Sequence, residues 1–305
     1  MSSLTSWIAA SRPRTLPLSL SGIIVGISLQ INEVKPYPWV ALGCLFTTVF
    51  FQILSNFAND YGDGIKGTDN ADRIGPTRAI QSGSISVSGM KKAIIILSFF
   101  SALSAISTVF LASPMLGTTQ IISYGILAVL CILAAILYTV GRSAYGYRGL
   151  GDLMVFLFFG LVAVLGTMNL YPRAFWFEGS LGALSIGCWS VLVLNLNNLR
   201  DVANDRKANK NTLVVQFGVT WGRLYHHVLL VTGIISWCVL LMCLAIETKR
   251  CSPLIAILPS LLLIKHLIRF RNIAVESQYD PELKKVAIAT FLHAIALLLS
   301  CFLPF

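Results

Sequence analysis

A cluster of short acidic and amide side chains begins at Asn56 and continues through Asn59 and Asp60 to Asp63. Their offsets of 0, 3, 4 and 7 place all of them on one face of a helix. Carboxylate and amide oxygens arranged in this way are typical of a site for a hard cation.

A second cluster of the same residue types runs from Asn197 and Asn198 to Asp201 and Asp205. Both clusters follow a long apolar run, so each is expected where a helix ends. The helix dipole disfavours anions at that end, and N-caps belong at the opposite end. Solvated loop residues are the alternative explanation, but the placement favours a bound cation that offsets the carboxylates.

The ligand types narrow the choice of cation. Oxygen donors without a nearby His or Cys suit an ion that retains some of its waters, which favours Mg²⁺ over Ca²⁺ or Zn²⁺. The two carboxylate pairs predict two Mg²⁺ ions. Seven of the 13 acidic residues lie in three loops predicted to be cytoplasmic, or at the helix ends next to them: Asp60, Asp63, Asp69, Asp72, Asp152, Asp201 and Asp205.

The residues after each cluster repeat a pattern of Thr, Gln and Gly: Thr77, Gln81 and Gly83 after the first, and Thr212, Gln216 and Gly218 after the second. Matching positions in two halves indicate internal duplication. We therefore expect two parallel four-helix repeats with one helix left over, and both acidic faces directed into a central cavity.

Basic residues accompany the acidic clusters: Arg73, Arg78, Arg206, Lys207 and Lys210. Guanidinium and ammonium groups beside Mg²⁺ ligands predict a clamp for a diphosphate. The sequence has no Walker motif and no glycine-rich Rossmann turn, so a nucleotide is not indicated. A diphosphate site open to lipid suggests a polyprenyl diphosphate.

The surrounding elements are apolar. The chain has 305 residues, of which 56% are hydrophobic and 12% charged, against ~25% charged in a soluble domain. Apolar runs without alternation favour membrane helices over barrel strands. We predict a single all-α membrane domain over residues 1–305, with nine spans near 16–31, 39–57, 93–112, 120–140, 153–170, 181–196, 228–246, 253–268 and 286–303.

The Lys and Arg residues predict the orientation of these spans. Of the 23, all but Lys35, Arg173, Lys249 and Arg250 fall on the side of the acidic clusters. By the positive-inside rule that side is cytoplasmic. The net charge of +10 is thus a topology signal, and nucleic acid is not expected as a partner. The seven cysteines show no C-x-x-C spacing, which argues against disulfides or a zinc site.

The motifs Asn59-Asp60-x-x-Asp63 and Asp201-x-x-x-Asp205 resemble the two aspartate-rich motifs of the intramembrane aromatic prenyltransferases, the UbiA superfamily. This chain departs from the common pattern at Gly67 and Asn209, where a third acidic residue often stands. Five stretches look most like the members that prenylate 1,4-dihydroxy-2-naphthoate in menaquinone synthesis: 59–63, 72–78, 138–142, 145–152 and 197–201.

The resemblance implies Mg²⁺-dependent transfer of a polyprenyl chain to 1,4-dihydroxy-2-naphthoate with loss of CO₂, in a bacterial plasma membrane. It implies catalytic roles for the four aspartates that also bind metal. The implied metal ligands are Asn59, Asp60, Asp63, Asp201 and Asp205. The implied substrate-binding residues are Asn56, Arg73, Arg78, Tyr138, Arg142, Tyr145, Asp152, Asn197, Asn198 and Lys210.

Two alternatives remain open from the sequence. The acceptor could be 4-hydroxybenzoate, homogentisate or a chlorin, because residue spacing does not measure the width of a pocket. A membrane transporter would also have repeats and acidic residues near the bilayer. The acidic residues cluster at one membrane face and not at the midplane, which favours the enzyme.

Overall fold

The computed structural model describes residues 3–31, 35, 37–70, 73–172 and 176–304. Regular structure in these residues is entirely helical, as the sequence predicts. The helices are α1 Leu4–Ala10, α2 Leu16–Leu29, α3 Pro38–Ile65, α4 Val87–Ala112, α5 Thr118–Leu137, α6 Gly151–Met168, α7 Trp176–Lys207, α8 Leu213–Phe217, α9 Val219–Thr248, α10 Ser260–Arg271 and α11 Tyr279–Ser300.

Eight of the described helices are long and apolar enough to cross a bilayer. They are α3, α4, α5, α6, α7, α9, α10 and α11, some of them extended by a short 3₁₀ turn. The predicted run 16–31 corresponds to α2, whose 14 residues span only about 21 Å against ~30 Å of hydrocarbon. The all-helical membrane architecture is confirmed, and the count of nine spans stays a prediction.

The helix α7 lies at the centre of the bundle. It packs against α2, α6, α9 and α11. Its buried core includes Trp189, whose ring lies 5.6 Å from that of Trp237 on α9. The helix α3 contacts α2, α4 and α5. This packing brings the C-terminal ends of α3 and α7, which carry the two acidic clusters, into one region.

The middle of α6 departs from regular α-helix. Residues Phe156–Val162 form wider π-helical turns. There α6 approaches α7 closely, because a Cβ on Gly160 would lie 2.6 Å from the carbonyl oxygen of Ala183. Such wide turns often occur at functional sites, and here they line an apolar cavity.

The C-terminal ends of α3 and α7 have the same local geometry. Gly67 and Asn209 each stand four residues after the last aspartate of a cluster, and both have a left-handed backbone with φ of 74° and 54°. The next amide then bonds back to that aspartate's carbonyl, from Thr68 to Asp63 at 3.0 Å and from Lys210 to Asp205 at 2.8 Å. This left-handed cap favours Gly or Asn. It accounts for Gly67 and Asn209, the two positions at which this chain lacks the third acidic residue of the common motif pattern.

The Thr-x-x-x-Gln-x-Gly segments share two structural features, although residues 213–217 form a short helix and residues 79–83 a turn. The side-chain amide of Gln81 donates to the carbonyl of Asn70 at 2.6 Å, and that of Gln216 donates to the carbonyl of Asn211 at 2.7 Å. The final glycines have φ of 70° and 89°. The two segments therefore share a glutamine bonded to a preceding asparagine carbonyl and a final glycine with positive φ.

Candidate active site

The two acidic clusters meet between the halves of the protein. The Nζ of Lys210 lies 3.2 Å from Oδ2 of Asp63. The side-chain amide of Asn204 donates to the carbonyl of Thr68 at 2.8 Å. Each contact joins the loop after α7 or its last turn to the end of α3, as the predicted repeat requires.

On α3, the acidic face is held by a residue from the N-terminal segment. Arg12 forms an ion pair with Asp60, and Nε of Arg78 lies 3.7 Å from the same carboxylate. The Asn59 amide satisfies both of its neighbours when its nitrogen is assigned to the Asp63 side, where it donates to Oδ2 at 3.0 Å, and its oxygen accepts from Arg12. One turn earlier, Asn56 donates to the carbonyl of Ser11 at 2.8 Å, which anchors the chain just before Arg12.

Asp63 is buried and accepts two hydrogen bonds besides that from Asn59. The Tyr147 hydroxyl donates to Oδ1 at 2.7 Å, and Lys210 binds Oδ2. The Tyr147 hydroxyl is also in contact with the Thr68 hydroxyl. The ammonium of Lys66 lies 4.0 Å from the centre of the Tyr147 ring, a cation–π contact. Tyr147 thus connects the 3₁₀ turn Tyr145–Arg148 to the first acidic cluster.

On α7, Arg200 binds Asp201 through two hydrogen bonds, from Nε at 2.8 Å and from Nη2 at 2.6 Å. The same guanidinium donates to Asn197 at 2.7 Å and forms an ion pair with Asp280 of α11. Arg73 lies 3.9 Å from Asp201. Buried Arg200 therefore ties the second cluster to the last helix.

Arg73 also binds Asp69, at 2.7 Å. The second oxygen of Asp69 is buried and has no hydrogen-bond partner. Burial, followed by the nearby Asp63 carboxylate, raises the pKa of Asp69, and Arg73 only partly offsets this. Asp205 is buried and forms no ion pair with the described residues. These two carboxylates have oxygens available for a cation.

Burial and neighbouring charges shift the pKa values of Lys210 and Arg78 in opposite net directions. Burial lowers the pKa of Lys210, but the carboxylates of Asp63 and Asp205 outweigh it, so the net pKa is raised. Burial, followed by the charges of Arg12 and Arg73, lowers the pKa of Arg78. Lys210 thus keeps its proton, and the crowded arginines are placed to gain from an added anion.

The donor set fits Mg²⁺, because it consists of carboxylate and amide oxygens, some without a partner. In the described part of the chain, no three acidic, His or Cys side chains converge on one point. Asp60, Asp63 and Asp201 instead each contact a basic side chain. A metal complex would require those contacts to be exchanged for Mg²⁺ and diphosphate oxygens.

An apolar cavity of about 350 Å³ leads away from the charged groups into the membrane-spanning bundle. Asn59, Tyr138 and Tyr145 lie at its polar end. Its walls come from α3, α5 and α6, with contributions from α2 and α4. The charged region and the apolar cavity are thus continuous at Asn59.

Two tyrosines border the polar end of this cavity, and a buried carboxylate lies on α6 nearby in the chain. The rings of Tyr138 and Tyr145 pack edge to face with centroids 5.3 Å apart. The hydroxyl of Tyr145 donates to the carbonyl of Ala134 at 2.7 Å. Burial raises the pKa of Tyr138 to about 12. Asp152 is buried in the first turn of α6, and its Oδ1 lacks a hydrogen-bond partner.

Most of the residues predicted from the sequence therefore lie in this region, though not all of them make polar contacts. Asn198 is buried on α7. Arg142 is exposed in the turn after α5 and forms no ion pair with the described residues. Asp72 lies outside the described residues. The individual roles assigned to these residues stay predictions.

Several residues of the site were not expected from the sequence: Arg12, Tyr147, Arg200 and Asp280. Arg12 was interpreted only as a positive-inside anchor. Tyr147 and Arg200 lie within the stretches 145–152 and 197–201 and could have been included. No local signal marks Asp280, since it acts through a helix far along the chain.

Comparison with known proteins agrees with this geometry. Residues 19–281 match the UbiA prenyltransferase family. The chain is 44% identical over 230 residues to 1,4-dihydroxy-2-naphthoate octaprenyltransferase of Escherichia coli K12, covering 75% of this chain and 74% of that protein. It is 33% identical over 300 residues to the protein of the same name from Mycobacterium leprae, covering 97% and 96%.

A solved structure described as digeranylgeranylglyceryl phosphate synthase has the same fold, with a TM-score of 0.60, 19% identity and 99% coverage of both chains. The family match extends over most of the sequence, including both acidic clusters. The chain therefore belongs to the UbiA prenyltransferase family and is a prenyltransferase.

Proposed function

We propose that this enzyme transfers a polyprenyl chain from polyprenyl diphosphate to 1,4-dihydroxy-2-naphthoate with loss of CO₂, giving demethylmenaquinol for menaquinone biosynthesis. The observation that carries the proposal is the junction at Asn59, where a region rich in Asp, Arg and Lys opens into an apolar cavity. A donor with a diphosphate head and an isoprenoid tail matches both parts. Relatives up to 44% identical carry the corresponding name.

The diphosphate would lie among Arg73, Arg78 and Lys210, whose charges converge on the ends of α3 and α7. Two Mg²⁺ ions held by Asp60, Asp63, Asp201, Asp205 and Asn59 would supply further neutralisation of the leaving group. Such preorganised charge at a departing anion is the largest catalytic contribution expected here. Arg12 and Arg200 would give up their carboxylate partners in part when the donor binds.

The acceptor would lie at the polar end of the cavity, beside Tyr138, Tyr145 and Asp152. The bond between C1 of the donor and its diphosphate oxygen breaks, and the electron pair leaves with the diphosphate. The ring carbon that bears the carboxylate forms the new bond to C1. The carbon–carboxylate bond then breaks, its electron pair returns to the ring, and CO₂ departs.

The neutral phenols of Tyr138 and Tyr145 would orient the aromatic substrate. The charged region adjoins the cavity, so the two substrates would lie side by side. Holding the reacting carbons in contact lowers the entropic part of the barrier. Tyr138 is placed to donate to an acceptor oxygen, because its raised pKa keeps the hydroxyl protonated. Asp152 has an unpartnered oxygen that can accept a hydrogen bond from a hydroxyl group of the aromatic substrate.

The site would face the cytoplasm of a bacterial cell, with the helices in its plasma membrane. The distribution of Lys and Arg supports this orientation. A cysteine replacing Lys66, in a background without the native cysteines, should react with an impermeant thiol reagent from the cytoplasmic side only. Labelling from the outer side would contradict the orientation without affecting the proposed reaction.

The reaction is tested by incubating the purified protein with Mg²⁺, radiolabelled polyprenyl diphosphates of four and of eight isoprene units, and a panel of aromatic acceptors. Dihydroxynaphthoate should become prenylated, and 4-hydroxybenzoate and homogentisate should give little product. Preferred use of either of the other acceptors would retain the prenyltransferase but replace the proposed pathway. A heat-denatured sample and a sample with excess chelator are the controls.

A further inference from the structure

One face of α5 forms a wall of the apolar cavity with a large ring at each end. Tyr124, Ala128, Cys131, Ala135 and Tyr138 follow at intervals of four, three, four and three residues, and all of them line the cavity. These intervals place them on one helical stripe. The side chains in the middle of the stripe are small, and a tyrosine stands at each end.

The facing wall on α3 has the same extent. Asn59 lies at the polar end, and Cys44 lies at the far end, 15 residues earlier on the helix. Between them the wall includes Thr48, Phe51 and Ser55, again at intervals of three or four. The cavity therefore runs along the helix axes, away from the charged groups.

Tyr124 stands at the far end of the cavity and is fixed there. Its hydroxyl donates to the carbonyl of Gly166 at 2.7 Å, which joins α5 to α6. Leu170 and Cys44 also line this end and are 4% and 7% exposed. The ring belongs to the apolar contacts of the cluster that contains these two residues. Its position is thus set by a hydrogen bond and by packing.

We propose that Tyr124 limits the number of isoprene units that the cavity holds, and so acts as a determinant of donor length. This inference rests on the proposed prenyl transfer. Tyr138 and Tyr124 are 14 residues apart, which corresponds to about 21 Å along the helix. An extended isoprene unit has four chain bonds of about 1.5 Å and advances by roughly 5 Å. About four units fit between the two rings, and the next unit meets Tyr124.

The first test replaces the ring at the far end. Tyr124→Ala should raise the ratio of kcat/KM for an eight-unit donor to that for a four-unit donor by about tenfold, because the space vacated by the ring admits further apolar carbons. Tyr124→Phe, which keeps the ring, should retain the wild-type ratio. Ile126→Ala is the matched control, since that side chain is on the lipid-exposed side of α5 and does not line the cavity.

The second test moves the barrier toward the site. Ala128→Phe places a ring one turn closer to Tyr138, about 15 Å away, and should lower kcat/KM for the four-unit donor relative to a three-unit donor by about tenfold. This variant fills space and leaves the Tyr124 hydrogen bond in place, so it decides the matter if Tyr124→Ala does not fold.

Thermal stabilisation by the same donors gives a readout that needs binding but no turnover. If the Tyr124→Ala and Ala128→Phe proteins are folded and their length ratios stay within twofold of wild type, the inference is wrong, and the distal units leave the cavity by another route. If the wild-type protein binds the donors but transfers none of them, the proposed function fails, and the binding ratios still test the role of Tyr124.

Discussion

Lys210 of the second half forms an ion pair with Asp63 of the first half, with 3.2 Å between Nζ and Oδ2. The pair breaks the symmetry of the repeat. By position in the matching caps, Lys210 corresponds to Thr68, and Asp63 corresponds to Asp205. The duplicated frame thus carries different side chains where the halves meet, and these side chains connect the two acidic clusters.

Lys210→Met should destabilise the protein and impair turnover. The change leaves Asp63 buried with the neutral Tyr147 hydroxyl and Asn59 amide as its described donors, and breaking a buried ion pair in this way costs about 3 kcal/mol. The raised pKa of Lys210 means that the pair contributes at all pH values below the normal lysine range and is lost only in strong alkali. The loss in thermal stability should therefore be equal at pH 6 and pH 9. Lys284→Met, at an exposed position, is the control.

Asp63→Asn and Asp201→Asn should each abolish turnover while the protein remains folded in the membrane. The substitutions preserve shape and remove one negative charge from the predicted Mg²⁺ ligands. Loss of an interaction with the departing diphosphate should lower kcat by at least about a hundredfold. Glu276→Gln removes an exposed acid outside the clusters and should have no effect. More than a tenth of wild-type activity in either Asn variant would refute the metal assignment.

Asp280→Asn should show whether the last helix positions the second cluster. Asp280 contacts Arg200, and Arg200 binds both oxygens of Asp201. With the ion pair weakened, we expect a rise of about fivefold in the Mg²⁺ concentration needed for half-maximal activity and a smaller change in kcat, because the site is misplaced but complete. Asp280→Glu should restore part of the Mg²⁺ response. An equal fall in kcat and stability without any Mg²⁺ effect would indicate a structural role alone.

Tyr138→Phe should lower kcat/KM for the aromatic acceptor by about tenfold and leave the KM for the prenyl donor nearly unchanged. The expected factor corresponds to one hydrogen bond of about 1.4 kcal/mol. Because burial raises the pKa of Tyr138 to about 12, the phenol stays protonated up to pH 10. The alkaline limb of the pH profile should therefore be the same in the wild-type and Phe proteins. A limb that disappears in the variant would show that the phenol ionises during catalysis.

Sequence patterns were sufficient to predict the membrane helices and the helix faces that carry the acidic residues. The apolar runs coincide with membrane helices because residues that must face lipid are apolar at every exposed position. The spacing of Asn59, Asp60 and Asp63 placed them correctly on one helix face, and the repeat predicted that Asp63 and the second cluster would lie together. Local periodicity determines these features.

Other features depend on contacts between distant segments. Arg12 reaches Asp60 only because the N-terminal segment crosses over the end of α3, and Asp280 reaches Arg200 only because α11 returns to α7. Arg142 is exposed in the turn after α5, and its role in substrate binding stays a prediction. Neither crossing has a signature in the local sequence. For the same reason, the sequence alone predicted a cavity but not the tyrosine that ends it.

The identity of the acceptor is the central claim, and the most direct test is a comparison of kcat/KM for carboxyl-labelled 1,4-dihydroxy-2-naphthoate and 4-hydroxybenzoate with the same polyprenyl diphosphate and Mg²⁺. We predict one CO₂ released for each prenyl group transferred to dihydroxynaphthoate, and at least ~100-fold poorer use of 4-hydroxybenzoate, a difference of about 2.7 kcal/mol in the transition state. Prenylation of dihydroxynaphthoate without CO₂ release, or equal use of the benzoate, would contradict the account.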